Sequence, residues 1–395
     1  MTSPSTVPPA VRRGRLAVCL LFGLYGVILG TWTARIPAVK QGLGLSDGQL
    51  SLGLLAFAAG AIIGMQAAGR LVDRYGTGRL LLPVALADGA LLVSPAYAPS
   101  LAVLAACLLA FGITHGLLNI TMNAAAVEVQ RARQAPIMSS FHAVYSVGGF
   151  LGAAVGGVFA YAELGAAPTF LAVALVVAVT AVAAARLRLA PAEVPAAEAA
   201  ERAPGGLRGV TFLGVLVFCC LVGEGAAADW SAVYLRDSLG SSPGFAAAAY
   251  AAFSIMMMAG RLVGDRLTAR LGPVRLVQGS GVLAGVGLGL ALLVGHPVAG
   301  VAGFGLLGAG LACIAPQVFS AAGCQDPARA GQAIARVASL GFLGFVVGPL
   351  VIGALAEFTG LPAALAIPAV LALFVALAAP SLRPSPAATP ATAEG

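Results

Sequence analysis

The sequence predicts an all-α membrane protein with twelve transmembrane helices in two pseudo-symmetric six-helix bundles. Three observations carry that prediction: an apolar composition, a one-sided distribution of positive charge, and a charged turn that occurs twice. Hydrophobic residues make up 59% of the 395-residue chain and charged residues only 9%, with a mean hydropathy of +0.97. A water-soluble domain carries about 25% charged residues, so this chain cannot cover a normal aqueous surface. Its apolar runs have to face lipid, where a helix satisfies every backbone group internally.

Apolar runs lie roughly over 15–35, 48–70, 79–97, 100–124, 137–160, 167–186, 209–235, 243–262, 274–295, 297–321, 333–356 and 361–380. Each is close to the ~20 residues a helix needs to cross the hydrocarbon layer. An even count returns both termini to one side. With cytoplasmic termini, only Arg35, Lys40 and Arg236 of the 22 Lys and Arg residues fall outside. All the others, Arg261 included, fall inside. That is the positive-inside pattern, and one missed helix would scramble it. The expected location is the plasma membrane (a cell inner membrane), crossed many times. The +7 net charge is then a topology signal, since nucleic-acid binding would need a basic face on a soluble domain. The first apolar run is long and follows Arg15, which suits an uncleaved helix better than a signal peptide.

The widest break between apolar runs, Arg186 to Gly209, is rich in Ala, Pro and Glu and reads as a cytoplasmic linker. The expected organisation is a short cytoplasmic segment 1–14, a six-helix bundle 15–186, the linker 187–208, a second bundle 209–382 and a disordered tail 383–395. The halves repeat one another. Gly69-Arg-Leu-Val-Asp73-Arg74-Tyr-Gly76-Thr-Gly-Arg79 follows span two, and Gly260-Arg-Leu-Val-Gly-Asp265-Arg266 follows span eight with one extra residue before its Asp. Thr31-Trp32-Thr33-Ala34 ends span one as Asp229-Trp230-Ser231-Ala232 ends span seven. Ser146-Val-Gly-Gly-Phe-Leu-Gly152 opens span five as Ser339-Leu-Gly-Phe-Leu-Gly344 opens span eleven, with Glu163 and Glu357 following. Four matches in one order indicate a parallel duplication, the way transporters are built.

The run Gly69-x-x-x-Asp73-Arg74-x-Gly76-x-x-Arg79 resembles the signature loop of the major facilitator superfamily, and the resemblance extends over essentially the whole chain. Trp32-Thr-Ala-Arg35-Ile-Pro37 and Asn119-Ile-Thr-Met-Asn123 resemble the fucose-permease branch and its bacterial relatives. The resemblance implies two halves rocking about a midplane site, moving a small polar, sugar-like metabolite by proton symport. Fucose permeases carry acids, implicated in proton coupling and sugar binding, where this chain has Thr33 and Asn119. Those two roles therefore do not transfer. An exporter of drugs or secondary metabolites, or a transporter-like membrane sensor, is the alternative. Span five has no Pro between Gly148 and Gly157, which counts against the exporter.

The residues themselves give candidates for chemistry. Gly69, Asp73, Arg74, Gly76, Arg79, Gly260, Asp265 and Arg266 form either a conformational gate or a purely topological basic loop. Glycines allow a tight turn and close packing, and Asp73 has Arg74, Arg79 or a basic group of the other half to pair with. Span seven holds Glu224 near its middle and Asp229 further out. One acid at a helix centre costs about 2.5–3.5 kcal/mol on insertion scales, so both face a cavity or a partner. They are the leading proton carriers; the alternative for Glu224 is a structural hydrogen bond. In the resembled fold spans one and seven face each other, which makes Arg35 and Asp229, beside Trp32 and Trp230, an outer-gate pair, or Arg35 a headgroup anchor. His115, Asn119 and Asn123 share one helical stripe, suited to a polar solute or to interhelical hydrogen bonds. Tyr145 and Gln317 are further cavity candidates, His142 reads as packing, and Asp88 is expected to bond a neighbour. There is no Walker motif, no metal cluster and no nucleophile–base set, so no cofactor, metal or enzymatic activity is expected. The expected partners are a small-molecule substrate, the proton and the lipid bilayer, with the chain a monomer.

Overall fold

The computed structural model describes residues 8–187, 206–325 and 329–383. Most of the linker 187–208, almost all of the tail 383–395 and the first seven residues lie outside the described residues. The described chain is helical, with no strand among the described residues. In order it runs α1 (Pro9–Gly42), α2 (Asp47–Tyr75), α3 (Thr77–Val93), α4 (Leu101–Arg133), α5 (Met138–Tyr161) and α6 (Ala166–Arg186). After the linker come α7 (Gly206–Val233), α8 (Pro243–Val294), α9 (Pro297–Leu311), α10 (Ile314–Gln325), α11 (Ala330–Thr359), α12 (Leu361–Ala364) and α13 (Ala366–Ala378).

Eleven described segments are long and apolar enough to cross a membrane, and one of them makes two crossings. Within α8, Gly272 leaves helical geometry at φ 74°, ψ 162°. That single residue separates the expected spans eight and nine. Residues Pro297–Gln325, comprising α9 and α10, form one crossing. Among the described residues the crossings therefore number twelve. Helix starts are set locally: Ser46 and Gln49 form a capping box at α2, and the Ser100 hydroxyl accepts from Val103 N at α4. Such caps satisfy amide groups that a helix end leaves open.

The two halves use the same packing plan. In the first, α2 packs on α4, α1 on α5, and α3 on α4 and α6. In the second, the outer limb of α8 takes the place of α2 and packs on α9, α7 packs on α11, and α13 lies against α8. Across the halves, α2 meets α11, α5 meets α8, and α4 and α5 meet α10. Large side chains such as Phe150, Leu175, Leu293 and Leu377 are more than two-thirds exposed, as expected of a surface solvated by lipid. Glycines draw the helices together, and this is where the packing is tightest.

Candidate functional site

Midway along the bundle, α8 presents Tyr250, Ser254 and Arg261 at spacings of four and seven residues, hence on one face. Tyr250 is 44% exposed and Arg261 only 7%, so this polar face becomes progressively enclosed along its length. Arg261 Nη1 donates to Ser146 Oγ on α5 of the other half at 2.7 Å. Its Nη2 reaches Glu224 Oε1 on α7 at 3.5 Å. A charge-assisted bond is ordinarily about 2.7–2.9 Å, so the pair is loose, and Arg261 Nε is buried without a partner. Arg261 stands eleven residues before Gly272, about 16 Å along the helix axis.

This corrects one expectation directly. Arg261 is not among the basic residues of a membrane-surface turn; it is the buried partner of Glu224. The register of the second signature copy changes as well. Gly76 at φ 75°, ψ 157° and Gly272 at φ 74°, ψ 162° perform the same break, and only glycine adopts such angles without strain. Setting them opposite one another aligns Arg79 with Arg275, Arg74 with Arg270 and Arg70 with Arg266. Asp265 then stands opposite Gly69, one helical turn deeper than Asp73, and no extra residue is needed.

The two acids have reciprocal tasks at the end of the bundle that carries these turns. Asp73 Oδ1 accepts from Gly331 N at 2.8 Å, and its Oδ2 accepts from Gln332 N at 3.2 Å and Gln332 Nε2 at 2.9 Å. These are first-turn amides of α11, in the opposite half. Asp265 accepts from Ser140 N, in the first turn of α5, at 3.2 Å to each oxygen. Each half thus caps a helix of the other, where open N–H groups and the positive end of the helix dipole favour a carboxylate. The arginine partners expected for Asp73 are not used: Arg74, Arg79 and Arg266 are exposed, and Arg74 lies over the Tyr75 ring. Gln66 Nε2 to Ser339 Oγ at 2.7 Å and Gln130 to Ser320 add to the seam. A Cβ at Gly69 would meet Gln332 Cα and Ala335 Cβ at 2.9 Å, so α2 and α11 touch. Gly260 packs likewise on Ala312.

At the opposite end, α1 and α7 make no substantial contact. Arg35 is buried and donates to the Leu164 carbonyl, while Asp229 is exposed, so the two are not paired in this conformation. Trp32 is 2% exposed and packs edge-on to Phe111 and tilted against Phe170. Trp230 Nε1 donates to Pro349 O on α11. Gln317 Nε2 donates to Thr268 Oγ1 at 2.9 Å in a buried contact. His142 is inserted between Phe22 and Phe319, in keeping with its reading as a packing residue. Asn123 bonds back to Asn119 O, four residues earlier, and does not reach the centre. Asn119 does extend from the stripe: its Nδ2 donates to Tyr25 Oη at 3.0 Å, and the Tyr25 ring lies 5.6 Å from that of Tyr145. Tyr145 is followed directly by Ser146, which accepts from Arg261. The central set is therefore Tyr25, Asn119, Tyr145, Ser146, Glu224, Tyr250 and Arg261. Sequence reasoning missed Tyr25, Ser146, Tyr250 and Arg261, although the α8 stripe was a readable signal for two of them.

The capping bonds carry a direct expectation. Losing a capping carboxylate costs about 0.5–2 kcal/mol, roughly a tenfold change in an equilibrium at 1.4 kcal/mol. In a protein lacking its native cysteines, Asp73→Ala should raise thiol labelling of Ser339→Cys, buried in this seam, by about that factor. Unchanged labelling would mean that the capping bonds do not hold this end closed.

Comparison with known proteins agrees with this geometry. The sequence matches the Major Facilitator Superfamily model over residues 16–323 and again over 213–395. An uncharacterised MFS-type transporter of Yersinia pestis is 34% identical over 381 residues, covering 94% of this chain and 96% of the relative. Among solved structures, FucP, the E. coli fucose:proton symporter, superposes in its outward conformation with a TM-score of 0.76 at 16% identity. That match covers 93% of this chain and 98% of FucP. A bacterial homologue of the iron transporter ferroportin, in an outward-facing state, gives 0.73 at 14% identity over 93% and 99%. The matches to solved structures show the fold; the family follows from the sequence matches. The chain is a multi-pass membrane protein that belongs to the Major Facilitator Superfamily of transporters.

Proposed function

We propose that this protein is a proton-coupled secondary transporter of a small polar, sugar-like solute, a symporter working by alternating access as a monomer in the plasma membrane. The observation that carries the reading is the contact of Arg261 with Ser146 in one half and Glu224 in the other. It links a titratable group at mid-membrane to the interface that has to separate when the halves rock. Around it, Tyr25, Asn119, Tyr145 and Tyr250 offer hydroxyl and amide groups suited to a polyhydroxylated ligand. One end of the bundle is tied by reciprocal caps, and at the other α1 and α7 make no substantial contact. With the turn end in the cytoplasm, as the positive charges there favour, this conformation faces outward.

The test is uptake by proteoliposomes of a panel of labelled monosaccharides, with and without an inwardly directed proton gradient. Gradient-dependent accumulation of one of them supports the reading; binding without flux of any solute would make the chain a sensor. Orientation is checked separately by impermeant thiol labelling of single cysteines in intact cells. Positions at Lys40 and Asp237 should label from outside, and positions at Arg131, Glu198 and Arg329 should not. Labelling at Glu198 would remove the proposed topology.

A further inference from the structure

A second buried titratable pair lies in the first half, away from Arg261 and Glu224. Asp88 of α3 is fully buried, and its Oδ2 lies 3.0 Å from Nδ1 of His115 on α4, itself 3% exposed. Asp88 Oδ1 accepts from Thr114 Oγ1 at 3.0 Å. The His115 ring lies flat against Tyr25 of α1, with centroids 3.9 Å apart and planes 11° apart. Phe57 of α2 and Phe111 of α4 complete its surroundings. The groups facing the pair are thus Thr114 from α4, Tyr25 from α1 and, behind Tyr25, Tyr145 from α5. His115 Nε2 is buried and has no partner.

A tie between α3 and α4 does not require this chemistry. Thr114 to Asp88 already supplies one, and a ring nitrogen left buried and unpaired is a cost that such a tie would not need. Intramembrane Asp and His pairs recur as proton relays. We propose that Asp88 and His115 form a proton-binding site, whose access to the central cavity is controlled by Tyr25 and Asn119. Holding one proton, the pair is neutral overall and suits an enclosed apolar setting. Losing it from His115 Nε2 to water leaves a lone buried carboxylate, which is tolerable only when water can enter. Tyr25 is the cover: its ring blocks the imidazole, and its Oη is held by Asn119. A solute that takes the Asn119 amide would free Tyr25 and expose His115. Solute binding and proton release would then be linked inside the first half, in series with Glu224, whose titration is still required. The coupling role rests on the transport reading; the proton site itself does not.

The experiment needs no solute. The chain has only three histidines, so the 15N signals of histidine-labelled protein in nanodiscs are assignable by His115→Gln. Across a pH series the His115 ring should convert between imidazolium and neutral forms. In Asp88→Asn the compensating carboxylate is gone, and the ring should stay neutral throughout. Tyr25→Phe keeps the ring cover but loses the Asn119 bond, and it should speed exchange of the Nε2 proton with water by at least tenfold. A His115 ring that keeps one protonation state across the series in the wild-type protein would overturn the proposal. That measurement decides the matter even if a variant does not fold. Absence of transport alongside a titrating ring would remove the transport reading and leave the site standing.

Discussion

Glu224→Gln should abolish accumulation driven by a proton gradient while leaving exchange of labelled for unlabelled solute largely intact. Glutamine keeps the size of the side chain and an oxygen that accepts from Arg261, so the helix contact between α7 and α8 survives. What it removes is titration. Under the proposed coupling an ionised Glu224 balances Arg261 and a protonated one does not, so this carboxyl carries the proton of each turnover. Exchange needs no net proton movement and requires only that the two halves rock with solute bound. Accumulation should therefore fall to that of empty liposomes, with exchange within a few-fold of wild type. Asp229→Asn is the comparison: Asp229 is exposed and unpaired with Arg35, so its loss should spare gradient-driven accumulation. Persistent accumulation in Glu224→Gln would assign the proton elsewhere, with His115 the next candidate. Loss of exchange as well would place Glu224 in the solute site or in the fold.

The difference between what was legible and what was not follows from dimensionality. Hydropathy and charge asymmetry are properties along the chain, so twelve crossings were readable, even though Gly272 joins two of them into one bent helix. Contacts between halves depend on helix rotation, which a one-dimensional pattern only partly records. The sequence places Arg261 among the surface charges because it shares a motif with Arg266, and the two copies of that motif align most simply on Gly-Arg-Leu-Val. Counting back from Gly272-Pro273 and Arg275, where the helix has to break, gives the register that the structure shows. Asp73 was assigned an arginine partner because arginines are its neighbours in sequence; the amides of Gly331 and Gln332, more than 250 residues away, carry no signal in composition. The polar stripe through His115, Asn119 and Asn123 was visible. Which of its members faces the cavity was not, since Asn123 turns its amide nitrogen back to the Asn119 carbonyl on the preceding turn.

Gly64→Val should prevent formation of a folded transporter, whereas Gly157→Val should be tolerated. Gly60 and Gly64 on α2 face Gly112 and Gly116 on α4, and here the two backbones touch. A Cβ at Gly64 would collide with the Ile113 carbonyl, and one at Gly116 with the Ala61 carbonyl. Small residues four apart allow this approach in lipid, where close van der Waals packing replaces the hydrophobic effect as the force between helices. Gly26 and Gly30 of α1 make the same contact with Gly148 and Gly152 of α5. The obstructing atoms at Gly64 are backbone rather than the ends of flexible side chains, so a branched residue cannot be accommodated by a rotamer change. The helices would have to separate, and His115 and Asn119 on α4 would move with them. Overpacking typically costs about 1–3 kcal/mol, and a backbone collision belongs at or above the top of that range, against a total stability of order 5–15 kcal/mol. At Gly157 a Cβ would meet nothing within 4 Å, although that residue lies in an equally glycine-rich helix. Size-exclusion profiles of detergent-extracted variants read the outcome: a monodisperse peak for Gly157→Val, and aggregate or no protein for Gly64→Val. Equal behaviour of the two would mean that α2 and α4 are not held at backbone contact.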